Sequence, residues 1–407
     1  MTDAATAAWL RPRLWVGWVT GICVWAVWLG SLAIGGFTRD AEGQLLCADH
    51  IAFYSAAALI RDGHPGSIYD HDAIGGAQQA ITGGDWPYFM AYRNPPFYAL
   101  LYVPTAALSF PASVLIWMAL SVAAIGFAVW CLRPEHPWRV FGWAFTFYPV
   151  FAAISFGQNT PLSLAVFAAV YRLSADRRTL AAGLVAGLLW YKPQLLIGPF
   201  IWWGLSPWRH RGEWLGVTLT GAGLTALSWV VIPEAAWAFV ETLRTNVAYG
   251  GENVWNLHSP RAFWRSLLPD APAAVTWTLT GLCVGVALGG AVWVRWRTGG
   301  PLAVMFPVAV FLTLWISPHT LIYEWALLVA AAVVLWERLP ARRDTWLPLF
   351  AVAWVVLTVS TTASLVQKRH LSWTVSLQVS IPVLAAVGGR MFWVLGRENP
   401  TPGPGRT

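Results

Sequence analysis

Residues 14–36 read LWVGWVTGICVWAVWLGSLAIGG, an apolar run without a single charged side chain. Crossing a hydrocarbon core of about 30 Å takes roughly 20 apolar residues in helical conformation, so this run is expected to span a membrane. No small-residue cleavage motif follows it, which suits an uncleaved signal anchor better than a removable leader. Arg11 and Arg13 precede it, and basic residues stay on the cytoplasmic side of a spanning helix. The N-terminus is therefore expected inside and the next segment outside. That segment, residues 40–98, is polar and acidic. It carries Asp40, Glu42, Asp49, Asp62, Asp70, Asp72 and Asp85 against Arg39, Arg61 and Arg93.

The whole chain repeats the character of its first run. Of its 407 residues 57% are hydrophobic and 11% charged, and its mean hydropathy is +0.54; a soluble domain carries about 25% charged residues. Its 29 Trp suit the membrane interface, where an apolar ring with a polar N–H is at home. The expected fold is an all-α polytopic membrane protein, a bundle of about 12–13 spanning helices with interfacial helices on a large first external loop. The net charge of +7 sits in short loops between apolar runs, as the positive-inside rule requires, and does not form a nucleic-acid surface. Cys23, Cys47, Cys131 and Cys283 make no CxxC pair and read as buried small hydrophobes.

One membrane domain is expected over residues 1–396, with external loops at 37–96 and 233–273 and a Pro-rich disordered tail at 397–407. In the first loop, 51–60 reads as an interfacial helix with Ile51, Tyr54, Ser55, Ala58 and Leu59 on one face. Asp62-Gly63-His64-Pro65-Gly66 ends it, and 74–81 forms a second short helix stopped by Gly83-Gly84. Between the loops lie apolar segments at 96–108, 114–132, 140–156, 162–173, 180–191, 195–205 and 215–232; beyond them lie 274–294, 302–315, 321–336, 347–365 and 375–395. Seven segments between two external loops is an odd number, so at least one must be re-entrant. The short runs beside Asn159 and Pro193 are the expected ones, because about 12 residues of helix cover only about 18 Å. Non-helical backbone at membrane depth survives where it lines a cavity.

Polar groups gather at those breaks. Asp49, in Cys47-Ala48-Asp49-His50, can act as a general base at the membrane surface or cap the following helix. Arg93 and Asn94 precede the second apolar segment; the guanidinium can snorkel to a headgroup or hold a substrate phosphate. Gly157-Gln158-Asn159 and Tyr191-Lys192-Pro193-Gln194 are polar knots between apolar runs. Lys192 can neutralise a phosphate or anchor at the interface. Asn253, Asn256, His258, Ser259 and Arg261 in the second loop suit sugar hydroxyls, and so do His319, Tyr323 and Glu324 after Ser317-Pro318. Structural roles for each histidine stand beside these. No P-loop, no GxGxxG after a strand, no HExxH and no DxD-like pair in a soluble nucleotide-binding domain occurs, so a soluble nucleotide donor is not expected.

In this order the motifs resemble a GT-C-type glycosyltransferase, most closely glycosyltransferase family 87, which includes polyprenol-phosphate-mannose-dependent mannosyltransferases. The resemblance rests on Asp49, Phe53-Tyr54-Ser55-Ala56-Ala57, Asp62-Gly63, Ile68-Tyr69-Asp70, Tyr92-Arg93-Asn94-Pro95-Pro96-Phe97, Gly157-Gln158-Asn159, Lys192-Pro193-Gln194 and Ser317-Pro318-His319, across residues 15–335. It implies a site at the outer face of the bacterial plasma membrane and a polyprenyl-phosphate sugar as donor. A lipid or glycan would be the acceptor, and membrane lipids the surroundings. Asp49 would be the base of an inverting displacement, with Arg93, Lys192 and Arg261 the cations available to the phosphate and no metal or cofactor required. His50, Tyr54, Asn94, Gln158, Asn159, Gln194, Asn256, His258, His319, Tyr323 and Glu324 would bind sugar and acceptor. One departure stands out: the family's aromatic and His pair is replaced here by Tyr323 and Glu324. A polyprenyl-lipid transporter, with paired broken helices, and a non-catalytic envelope-assembly protein are the alternatives. Both would tolerate loss of Asp49.

Overall fold

The computed structural model describes residues 3–244, 257–370 and 378–398. A short α1, Asp3–Leu10, leads into α2, Trp15–Ile34. In α2 only Gly21 and Leu32 are buried, while Trp15, Ile22, Val27 and Ile34 are exposed. A helix that apolar on every side is stable in lipid, not in water. Among the described residues five stretches are long and apolar enough to cross a membrane: Trp15–Ile34, Phe110–Leu132, Arg211–Val231, Ala273–Thr298 and Pro340–Ala363. They show no β-strand, only isolated bridges between Arg39 and Leu45 and between Leu257 and Leu321. The protein is an all-α polytopic membrane protein.

The first loop is folded. α3, His50–Arg61, and α4, His71–Thr82, pack on each other. α4 starts at Asp70, whose side chain accepts from the Ala73 N–H, and ends at Gly83 with φ 76°. These are the cap and left-handed stop that such residues favour. α3 is buried more widely than its expected single face, continuously from His50 to Ala58. The apolar run after it covers it: α5, Pro96–Leu100, and α6, Val103–Ala106, lie against α3. Phe53 stacks on Tyr102 at 5.1 Å, and the Tyr54 hydroxyl donates to the Leu108 carbonyl at 2.6 Å.

Beyond α7, Phe110–Leu132, several expected spans come in pieces. Residues 140–156 fall into α8, Pro137–Thr146, and α9, Tyr148–Ser155, divided where Pro149 follows Phe147 and Tyr148. After α10, Thr160–Ala175, and α11, Thr179–Gly187, the chain tightens into 3₁₀ turns at Leu188–Tyr191 and Pro193–Leu196 before α12, Ile197–Gly204. α11 packs closely on α13, Arg211–Val231. Gly183 and Gly187 on one helix and Gly212 and Gly216 on the other leave no room for a Cβ; one on Gly183 would lie 2.2 Å from the Glu213 carbonyl oxygen. Small residues four apart let membrane helices approach this way.

The second loop opens with α14, Pro233–Arg244, and closes with α15, Pro260–Leu267; Asn253 and Asn256 lie outside the described residues. α16, Ala273–Thr298, and α17, Leu302–Ile316, follow, and α17 is buried along most of its length. Ser317-Pro318 ends α17, and a 3₁₀ segment, Ile322–Leu327, leads into α18, Leu328–Arg338. α19, Arg343–His370, and α20, Ser380–Leu395, complete the chain. Both α9 and α10 pack on the 322–327 segment. The interruptions of separate helices thereby meet.

Candidate active site

Asp49 stands at the start of α3, where a cap would be expected, yet its backbone is already helical (φ −73°, ψ −22°) and its side chain makes no capping bond. Asp70 on α4 supplies the contrast, since its carboxylate is spent on the Ala73 N–H at 2.8 Å. The Asp49 carboxylate instead accepts from the Gln158 amide Nε2 at 2.6 Å. Its own N–H donates to the Phe156 carbonyl at 3.0 Å, and the Cys47 thiol lies 3.3 Å from the Ile154 carbonyl. The start of α3 is thus seated on the end of α9.

That seat depends on Gly157. The Gln158 N–H returns to the Ala153 carbonyl and the Gly157 N–H to that of Ile154, the paired bonds that close a helix on a left-handed glycine. Gly157 has φ 72°, and a Cβ on it would lie 2.7 Å from the Cys47 Cβ and 2.8 Å from that of His50. Gln158 follows directly and faces the carboxylate.

Opposite, Lys192 sits between the two 3₁₀ turns. Its Nζ is 3.2 Å from the Glu324 Oε1, with side chains 13% and 3% exposed, and 5.3 Å from the centre of the Tyr323 ring. A pair this deep is held only where geometry and further hydrogen bonds offset desolvation. Glu324 also receives the Leu321 N–H on its other oxygen at 3.4 Å. The Lys192 charge reaches Asp49, and Tyr323 lies within the fields of Asp49, Glu324 and Arg93. Burial pushes the Asp49 carboxyl above the usual carboxylate range, while the Gln158 hydrogen bond and the Lys192 charge pull it back. A carboxylate less solvated than usual, still held ionisable by a neutral amide, is a stronger proton acceptor than one in water.

Asn94 fixes this side. Its Nδ2 donates to the Tyr191 carbonyl at 2.9 Å, and its own carbonyl accepts from Tyr69 at 2.6 Å. Tyr191 in turn stacks on Tyr98 at 4.4 Å and shares a 2.7 Å hydrogen bond with Ser163. Arg93, beside Asn94, is exposed. Tyr191, Tyr98 and Ser163 were not among the expected site residues, because inside apolar runs they read as core. The Trp-Tyr-Lys-Pro break was the available signal for Tyr191 alone.

The remaining candidates divide. Gln194 is half-buried beyond Lys192, and Asn159 is fully buried beside Tyr98. His319 is exposed on the turn after α17. His50 points into the core, its Nε2 2.9 Å from the Ser113 hydroxyl and its ring among Phe53, Tyr102, Phe110 and Trp117; burial pushes it down to about 3. Tyr54 ties α3 to the Leu108 carbonyl, as above. His258 is a clasp: its ring nitrogens meet Ser380 at 2.8 Å and Thr361 at 3.3 Å, its N–H donates to the Thr320 carbonyl, and its carbonyl accepts from Trp325. With Ser259 donating to the Pro318 carbonyl at 2.9 Å, it joins the second loop to the Ser317-Pro318 turn. Arg261 lies over the Trp277 ring at 4.8 Å. Among the described residues no three His, Cys, Asp or Glu side chains gather closely enough to hold a metal ion.

Asp49, Gln158, Lys192, Tyr323, Glu324 and the neighbouring Arg93 and Asn94 therefore form one polar cluster. It carries a base candidate, a buried ion pair and an exposed guanidinium. The family model of glycosyltransferase family 87 matches residues 92–318, a stretch that holds Arg93, Asn94, Gln158 and Lys192 and stops short of Tyr323 and Glu324. Asp49 precedes it. No curated protein and no solved structure matches the chain.

Proposed function

The chain belongs to glycosyltransferase family 87 and is a membrane glycosyltransferase, and on that premise we propose that it moves a hexose, mannose first, from a polyprenyl-phosphate carrier to a lipid or glycan acceptor at the outer face of the bacterial plasma membrane. The carrying observation is the 2.6 Å hydrogen bond that ties Asp49, outside the matched residues, to Gln158, inside them. It joins the Asp49 carboxylate, which caps no helix, to the family's own segment.

In the proposed reaction the acceptor hydroxyl gives its proton to Asp49 while its oxygen attacks the anomeric carbon. The carbon–oxygen bond to phosphate breaks on the opposite face, inverting the centre. The leaving phosphate is already anionic, so a cation serves it better than an acid. Arg93 is exposed at the edge of the cluster and presents the planar donor fork that suits a phosphate. Lys192, paired with Glu324, adds positive potential from beneath. A lipid-borne donor also suits a chain without a nucleotide-binding motif.

The test compares donors. Membranes containing the protein receive radiolabelled polyprenyl-phosphate-mannose or the corresponding nucleotide sugar. Transfer from the lipid donor alone is expected, with polyprenyl-phosphate glucose or arabinose next if mannose is refused. Transfer from the nucleotide sugar in membranes stripped of carrier lipid would contradict the proposal. Movement of intact lipid-linked sugar across vesicles without glycosidic cleavage would favour the transporter.

A further inference from the structure

We propose that Glu324 is a positioning residue that keeps Asp49 a base by holding Lys192 away from it; this rests on the reading of Asp49 given above. The geometry is that of one cation between two carboxylates. Lys192 Nζ lies 3.2 Å from Glu324 and within the field of Asp49, whose own hydrogen bond comes from the neutral Gln158 amide. An ammonium on a four-carbon stem is mobile and pairs with whichever carboxylate is offered. Without Glu324, Asp49 is the nearest acid of the cluster. A direct Lys192–Asp49 pair would favour the ionised carboxylate and leave it a weaker acceptor of the hydroxyl proton.

Glu324 is built for this task. It lies in the Ile322–Leu327 segment, and its second oxygen receives the Leu321 N–H, so it is fixed at two points. The segment is anchored on both sides. Trp325 donates to the His258 carbonyl, Thr320 accepts from the His258 N–H, and α9 and α10 pack across it. The charged and titratable groups facing the pair are few. Tyr323 and Tyr191 lie in the field of Glu324; Asp49 acts from the start of α3, with Cys47 beside it; Arg93 approaches Tyr323 from the start of α5. Lys192 is thus in contact with Glu324, and its charge reaches Asp49. Glu324 lies beyond the residues that the family model matches and stands where the resemblance leads one to expect a histidine.

The experiment measures kcat/KM against pH for transfer from polyprenyl-phosphate-mannose, or whichever lipid donor the wild type accepts. It uses full-length wild type, Glu324→Gln, Glu324→Asp and the double variant Lys192→Met/Glu324→Gln. Wild type must transfer and Asp49→Asn must not; if that fails, the reading of Asp49 fails and the role of Glu324 goes with it. Given that control, Glu324→Gln is expected to move the acid limb to lower pH and lower the plateau rate about tenfold or more. The double variant, freed of the cation, should return the limb to the wild-type position or above it, and Glu324→Asp should keep it. Any phosphate contact of Lys192 is read separately, in the KM for donor. The proposal is overturned if Glu324→Gln loses activity with an unmoved acid limb, or if removing Lys192 as well fails to move the limb back. Should Glu324→Gln not fold, Glu324→Asp and the double variant carry the same test: a double variant with its acid limb below the wild type's would equally overturn it.

Discussion

At the scale of the residue, two aspartates at helix starts are put to different uses. Asp70 satisfies the first turn of α4, while Asp49 leaves its own first turn to the backbone and keeps its carboxylate for Gln158. Sequence could not separate them, since both are acids just ahead of a helix; the difference lies in a backbone angle and a partner 109 residues away. Two predictions follow from the Asp49 environment. Gln158 favours the ionised form, so Gln158→Leu should raise the carboxyl further and shift the acid limb of kcat/KM to higher pH; an unmoved limb would mean that the bond seen here does not act on the base. Burial makes the folded state prefer the protonated acid more than the unfolded chain does, so keeping Asp49 ionised at neutral pH costs the fold stability. Asp49→Asn should therefore melt at or above the wild-type temperature by differential scanning calorimetry. The histidines were the least legible residues. His50 and His258 are buried with hydroxyl partners, and a sequence does not reveal whether an imidazole faces a cavity or a core.

At the scale of the element, the breaks were legible and the pieces were not. Gly157-Gln158-Asn159 and Lys192-Pro193 interrupt helices where the sequence places polar residues between apolar runs. The division of 96–108 at Leu101–Tyr102 and of 140–156 at Phe147 was not foreseen. In both, a proline inside an apolar run removes a helical hydrogen bond without lowering hydropathy. The wide burial of α3 was equally hidden, because alanines carry little moment and only the tertiary fold shows what covers them. Gly157 gives the sharpest test at this scale. Alanine there meets both the left-handed backbone, at about 1–3 kcal/mol, and the Cβ atoms of Cys47 and His50. Gly157→Ala should lower transfer more than it lowers the melting temperature, since the strain falls on the seat of Asp49. Full activity in that variant would show that the close approach is not needed for catalysis.

At the scale of the whole molecule, composition alone announced a membrane protein, and the exposed apolar surface of α2 agrees. Helices are cut at Asn159 and at Lys192, where the cluster lies, and a thiol-accessibility map tests which segments cross. Asn159 is fully buried, so a topology map needs other positions. On a background without the native cysteines, single cysteines at Asp85, His319, Arg177 and Trp208, all exposed, serve. An impermeant thiol reagent applied outside should label the first two and spare the last two. Labelling of His319 from the cytoplasmic side only would separate it from the first loop and break the single-face arrangement.

The most direct test of the central claim is transfer of radiolabelled mannose from its polyprenyl phosphate by wild type and Asp49→Asn at equal expression and equal thermal stability. Transfer by wild type and a loss of about 10²–10⁴-fold in the variant is the expected result. Equal transfer by both would show that Asp49 is a loop residue held by Gln158 for structure alone.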